Sequence, residues 1–172
     1  YTTGQVVLNN ASDTVANLAT IEALDDSEMK FADDSSITVT DQATKTQLDT
    51  INGYTTTAVS VATITGTLTE ITALHNDAGL DISGALINVT DAVSLSQANT
   101  LNGYTTGQVT LTSVSDTVSN ITAIDALTTS EVTMAAATVT VTDAATLANA
   151  NAINGFTTCL LYTSPSPRDD GV

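Results

Sequence analysis

One phrase recurs at near-constant intervals and limits what this chain can fold into. Thr138-Val139-Thr140-Val141-Thr142-Asp143 leads to Ile153-Asn154-Gly155-Phe156-Thr157-Thr158. Ser36-Ile37-Thr38-Val39-Thr40-Asp41 leads to Ile51-Asn52-Gly53-Tyr54-Thr55-Thr56, and Leu86-Ile87-Asn88-Val89-Thr90-Asp91 leads to Leu101-Asn102-Gly103-Tyr104-Thr105-Thr106. The aromatic markers Tyr1, Tyr54, Tyr104 and Phe156 divide the chain into repeats 1–53, 54–103 and 104–155, with a fourth beginning at 156–158. A tandem array builds its core by adding units, so length counts repeats rather than setting a core volume.

Within each repeat the apolar spacing changes twice. Val6/Leu8, Val59/Val61 and Val109/Leu111 alternate with period two, which predicts a strand with one buried face. Val15, Leu18, Ile21 and Leu24 then follow at spacing three, as do Leu68, Ile71 and Leu74, and Val118, Ile121, Ile124 and Leu127. That spacing predicts a short helix, partly 3₁₀, with Ser12, Thr65 and Ser115 as N-caps. Alternation returns at Met29/Phe31, Leu80/Ile82 and Val132/Met134, and more strongly at Ile37/Val39, Ile87/Val89 and Val139/Val141. A second helix is expected over Leu48 and Ile51, over Leu95, Ala98 and Leu101, and over Leu147, Ala150 and Ile153. Its start is marked by Asp41, Asp91 and Asp143, and its end by Asn-Gly, with glycine taking the left-handed conformation.

Thr105-Thr106-Gly107-Gln108-Val109-Thr110-Leu111 also matches Thr128-Thr129-Ser130-Glu131-Val132-Thr133-Met134, so each repeat is itself two similar strand–helix coils. A coil this small cannot bury its own apolar face, and neighbours must stack. The predicted fold is an α/β right-handed solenoid of six coils with a parallel sheet. The alternative is an all-β solenoid in which the Ala/Thr/Asn segments stay extended, since Thr and Asn are weak helix formers.

Charge narrows the function classes. Nineteen acidic and three basic residues give a net charge of −16, which argues against nucleic-acid and anionic-membrane partners. No apolar run approaches the ~18 residues needed to span a bilayer. Cys159 is the only cysteine, so residues 1–158 carry no disulfide or thiol chemistry. It opens a tail, 159–172, that holds the only Arg and both prolines. Cys159-Leu160-Leu161-Tyr162-Thr163-Ser164-Pro165-Ser166-Pro167-Arg168-Asp169 resembles the conceptual translation of a Nextera-type transposase adapter, which implies an environmental sequence whose natural frame is interrupted after Thr158.

The Val-Thr-Val-Thr-Asp phrase, the Asn-Gly-Tyr/Phe-Thr-Thr turn and the Ser-Asp-Thr-Val segment resemble the threonine-rich tandem repeats of giant surface or secreted proteins of marine bacteria, cyanobacteria included. The resemblance covers residues 1–158. It implies a structural or adhesive role at the cell surface or outside the cell, with no catalytic residues and no cofactor. Neighbouring repeats would be the main partners, with surface polysaccharide or other cells beyond them and no insertion into a membrane.

Three sets of side chains compete with that reading. Asp13, Asp41, Asp91, Asp116 and Asp143 fall at the expected helix starts, with Gly66 where a sixth acid would stand. Stacked at the strand spacing of about 4.8 Å, they form either a ladder of helix caps or a column of Ca²⁺ ligands. Thr38/Thr40, Asn88/Thr90 and Thr140/Thr142 share a strand face, as Thr arrays do in solenoids that bind ice, with Asn88 breaking the array. A ligand-binding solenoid, for ice, Ca²⁺ or glycan, needs one face more regular than packing requires. His75, the only histidine, reads as a solvated helix-end residue. A polysaccharide-active enzyme needs its acids clustered in a groove, and here they are spread evenly. Asn52, Asn102 and Asn154 with Tyr54, Tyr104 and Phe156 are expected to form structural ladders, and the sequons at Asn10, Asn88 and Asn120 are of a kind common by chance in so Asn/Thr-rich a chain.

Overall fold

A computed structural model describes residues 4–24, 27–127 and 131–158. The tail from Cys159 to Val172 and the segment Thr128 to Ser130 lie outside the described residues.

Strand and helix alternate along the chain. The strands are β1 (Val6–Asp13), β2 (Met29–Ala43), β3 (Val59–Gly66), β4 (Leu80–Asp81), β5 (Leu86–Val93), β6 (Val109–Asp116), β7 (Val132–Thr133) and β8 (Thr138–Val141). The helices are α1 (Val15–Glu22), α2 (Lys45–Asn52), α3 (Leu68–His75), α4 (Leu95–Asn102), α5 (Val118–Asp125) and α6 (Leu147–Phe156). All strand pairs are parallel and belong to one sheet, ordered β1-β2-β3-β5-β6-β7, with β4 against β3 and β8 against β6. The chain is therefore α/β, and the all-β alternative does not hold. Six strand–helix units follow one another: β1-α1, β2-α2, β3-α3, β5-α4, β6-α5 and β8-α6.

The expected short extended piece is separate in the second and third repeats, as β4 and β7. In the first repeat it runs on into the stronger strand as the 15-residue β2. The split is made by a tight turn, with the Ala85 amide donating to the Ile82 carbonyl at 3.0 Å and Ala137 to Met134 at 2.9 Å.

Five of the helices are eight residues long and α6 is ten. That is shorter than the roughly 12–15 residues at which even good helix formers hold in isolation, so packing and capping must hold them. One face supplies the packing. Leu18, then Leu48 and Ile51, Ile71 and Leu74, Ala98 and Leu101, Ile121 and Ile124, and Ile153 are buried against the inward sheet residues Ile37, Val39, Val59, Ile64, Ile87, Val89, Val109 and Val114. The opposite sheet face is mostly polar, interrupted by the exposed Val7 and Leu86, and its in-register rows include Ser12–Thr38–Ser60 and Thr65–Asn88–Thr110.

Two expectations about the helix ends are overturned. The N-caps are Thr14, Thr44, Thr67, Ser94, Thr117 and Thr146, whereas Ser12, Thr65 and Ser115 remain in strands, because each strand runs up to the residue before the Thr. Among the described residues no glycine has positive φ. Gly53 and Gly103 close α2 and α4 in the right-handed region, because the last turn tightens into i→i+3 bonds from Tyr54 to Ile51 and from Tyr104 to Leu101. Gly155 lies inside α6.

One difference between repeats marks a defect. Ser35 is fully buried and its hydroxyl finds no partner among the described residues, while Ala85 and Ala137 occupy the same position in the later repeats. Ser35→Ala should raise stability by about 1 kcal/mol, which urea unfolding would measure.

Candidate functional site

Chemistry-bearing groups concentrate at two places: the helix N-termini, where the five aspartates lie, and the Thr-Thr turn that follows α2, α4 and α6.

The aspartates do not cap their own helices in the expected way. Asp41, Asp91 and Asp143 stand three residues ahead of the N-caps Thr44, Ser94 and Thr146, and each reaches to the helix of the preceding unit. Asp41 Oδ1 accepts from the Val15 amide at 2.9 Å, Asp91 Oδ1 from Leu68 at 2.9 Å and Asp143 Oδ1 from Val118 at 2.8 Å. Asp116 Oδ2 does the same to Leu95 at 2.9 Å. Its other oxygen accepts from its own unit, from the Thr117 amide and the Asn120 side chain, both at 2.8 Å. Asp13 repeats the second half of that pattern with Thr14 and Asn17, again at 2.8 Å. Each cross-unit bond satisfies the first free amide of a helix and sets a carboxylate on its positive end.

Parallel stacking brings the acids to the helix N-termini one unit at a time. Among the described residues, no three His, Cys, Asp or Glu side chains gather as a metal centre.

These bonds fix the acid response. The Leu95 amide, followed by Asn120 and Thr117 and opposed by burial, holds the Asp116 carboxyl below its ordinary value. The Asn17 side chain and then the Thr14 amide lower Asp13, and the Thr67 amide and hydroxyl lower Glu70. A carboxyl that is more acidic in the folded than in the unfolded chain stabilises above the unfolded value, about 3.9 for Asp, and ceases to do so as pH falls through the folded one. Asp116→Ala should therefore cost about 1 kcal/mol at pH 7. The gap in melting temperature between it and the wild-type chain should close below pH ~4.

The exception is instructive. Gly66 precedes the cap Thr67, and the place of Asn17 or Asn120 is taken by Glu70, whose Oε2 accepts from the Thr67 amide at 2.8 Å in a capping box. A Cβ on Gly66 would lie 3.1 Å from that oxygen, so Gly66 and Glu70 are matched. The start of α2 consequently has Lys45 at its first position with no aspartate from the next unit, and Lys45 pairs with Asp49 instead. Gly66→Asp alone should destabilise, through repulsion from Glu70. Combined with Glu70→Asn it recreates the Asp-Thr-x-x-Asn pattern of the first and fifth units and should be more stable than the single variant. Thermal melts of both variants read the ordering.

The Thr-Thr turn repeats in the sequence, but its repetition does not show what it holds. Thr55, Thr105 and Thr157 donate their hydroxyls to Ser35, Ala85 and Ala137 carbonyls at 2.6, 2.6 and 2.8 Å. The following Thr56, Thr106 and Thr158 donate both amide and hydroxyl to Asp33, Ser83 and Ala135 carbonyls. Each pair clasps the chain leaving a helix to the strand side of the same unit, within β2 in the first repeat and at the turn before β5 and β8 in the other two. After α2 and α4, that places the next strand in register.

His75 ends α3, exposed, with its ring stacked on Tyr104 at 3.9 Å between centroids. Tyr54 stacks on Phe31 at 5.9 Å. Tyr54 and Tyr104 thus each stack on a ring outside the expected column of Tyr54, Tyr104 and Phe156, and no stack within that column is found among the described residues. A polar cleft beside Tyr54 is lined by Glu22, Lys30, Phe31 and Asp33. Burial, reinforced by Glu22, raises the Tyr54 hydroxyl above its ordinary value and keeps it neutral. An apolar cleft lies between α1 and α2, lined by Val15, Ala19, Thr50 and Ile51. No described helix is long and apolar enough to cross a membrane.

No family model, no curated protein and no solved structure matches this chain.

Proposed function

We propose that residues 1–158 form a right-handed solenoid segment with a structural or adhesive role in a large cell-surface or secreted protein. The reading extends the resemblance to the giant threonine-rich repeat proteins of marine bacteria and cyanobacteria. One observation carries it: the phrases that recur from repeat to repeat are used in holding the chain's units together. The aspartates tie a strand to the preceding helix, the Thr-Thr pairs clasp the turns, and the aliphatic residues fill the core between sheet and helices. What repeats is the joint between units, which suits a spacer extended by adding repeats.

Small-angle scattering tests it. Inserting one further copy of residues 54–103 should lengthen the particle by about 10 Å, two strand spacings, at constant cross-section. An increase in all dimensions would reject the stacked arrangement.

A ligand-binding solenoid, for Ca²⁺, glycan or ice, is the second reading. It is favoured by the in-register hydroxyl rows Ser12–Thr38–Ser60 and Thr65–Asn88–Thr110 on the outer sheet face. A structural segment should keep its melting temperature in millimolar Ca²⁺, a range that serves extracellular Ca²⁺ modules. It should also bind no glycan and show no thermal hysteresis. A positive result in any one of these moves the assignment to that ligand.

A further inference from the structure

Asn52-Gly53 and Asn102-Gly103 stand at the same structural place in successive repeats. Each pair closes a helix, α2 or α4, and leads directly into the clasp made by Thr55 or Thr105. In an Asn-Gly step the asparagine is open to attack by its own main chain, because glycine has no Cβ to crowd the following amide nitrogen. That nitrogen bonds to the side-chain Cγ, ammonia leaves, and a succinimide ring forms. Water then opens the ring at either carbonyl, which gives aspartate or isoaspartate.

The fold holds both steps away from that geometry. Asn52 and Asn102 are half-buried and helical. The attacking nitrogens are engaged: Gly53 donates its amide to the Thr50 carbonyl at 3.1 Å, and Gly103 to the Asn99 and Thr100 carbonyls at 3.2 and 3.1 Å. The Asn52 carboxamide also packs on Gly79 of the next unit, where a Cβ would overlap it. Just downstream, the Thr55 hydroxyl donates to the Ser35 carbonyl at 2.6 Å and accepts from the Thr57 amide at 3.2 Å. Thr105 does the same with Ala85 and Gly107 at 2.6 and 2.8 Å. Each Asn-Gly step is thus fixed on one side by a tightened helical turn and on the other by a threonine clasp.

We propose that Asn52 and Asn102 are sites of spontaneous deamidation gated by these clasps. When a clasp lets go, the last helical turn frays and the glycine nitrogen is freed to attack. An isoaspartyl product carries an extra methylene in the main chain between helix and clasp, so the threonine no longer meets its carbonyl. Either product also sets a new carboxylate at the negative end of the helix, in a chain whose net charge is already −16. The modification converts a transient opening into a lasting break beside the next strand, β3 or β6.

The test follows both sites in the full chain, folded and in urea, through incubation in mildly alkaline buffer and peptide mapping that separates aspartyl from isoaspartyl forms. Both should react readily in urea and slowly in the folded chain, because the reaction tracks the population of the locally open form. Thr105→Val keeps the shape of the side chain and removes the hydroxyl. It should speed Asn102 about fivefold, the effect of one lost hydrogen bond on an opening equilibrium, and leave Asn52 unchanged. Thr55→Val should do the reverse. Each variant is first shown by circular dichroism to be folded, and one folded variant suffices. Gly103→Ala, which crowds the attacking nitrogen, should suppress the reaction at Asn102 in urea. Equal rates in the folded and urea-unfolded chain, aspartate as the sole product, or a threonine variant that leaves its own site unchanged or speeds both sites alike would each overturn the proposal.

Discussion

Leu101→Ala should lower the unfolding free energy by about 3 kcal/mol. Leu147→Ala should change it by less than about 0.5 kcal/mol. By spacing the two leucines are similar, since both lie on the apolar stripe of the second helix of a repeat. Structurally they are far apart. Leu101 is 0% exposed, on α4 between its neighbours α3 and α5, and its removal leaves a cavity that short, capped helices on a hydrogen-bonded sheet are poorly placed to close. Leu147 is largely solvated. Chemical denaturation of the two variants measures both numbers, and equal losses would mean that the last unit is covered in solution.

Gly107→Ala should be the more damaging of a second pair, costing about 2 kcal/mol or more by forced overpacking. A Cβ there would lie well inside van der Waals contact of the Ala85 carbonyl oxygen and close to that of Gly84, both backbone atoms unable to rotate away. The same carbonyl of Ala85 accepts the Thr105 hydroxyl at 2.6 Å, and Thr105 in turn accepts from the Gly107 amide at 2.8 Å. Displacing it therefore breaks the clasp as well. Gly84→Ala is the control, since a Cβ at Gly84 meets nothing within 4 Å. In the preceding repeat the position of Gly107 is held by Thr57, whose own hydroxyl donates to the Ser35 carbonyl at 2.6 Å. Gly107→Thr should therefore recover part of the loss that Gly107→Val, equal in size but without the hydroxyl, does not. A melt of the four variants ranks them.

Much of the architecture is legible in the primary structure because it is periodic. Alternation at Ile87/Val89 or Val109/Leu111 encodes a strand with one inward face, and spacing three at Ile71/Leu74 or Ile121/Ile124 encodes a helix stripe. All of these side chains are buried as read. The boundaries are less legible. Ser12, Thr65 and Ser115 are as good caps by type as Thr14, Thr67 and Thr117, and only the length of the hydrogen-bonded strand ahead of them decides which residue turns the chain. The Asn-Gly ends likewise suggest left-handed glycines, yet a tightened last turn needs none.

The aspartates show where sequence reasoning reaches its limit. Their recurrence near helix starts marks them as amide acceptors, and the charge pattern alone allows that much. Which helix they serve is a question of distance between units about 21–26 residues apart along the chain, and no local pattern contains it. The Thr-Thr clasp is the same case: its repetition is visible, but its acceptors are carbonyls 20–23 residues earlier. By itself, then, the sequence determines the unit, its strand and helix and the faces they bury, because those follow from side-chain spacing within a few residues. Only the tertiary structure decides how one unit grips the next, because backbone amides and carbonyls are the same at every position and acquire partners only when parallel stacking brings distant ones together.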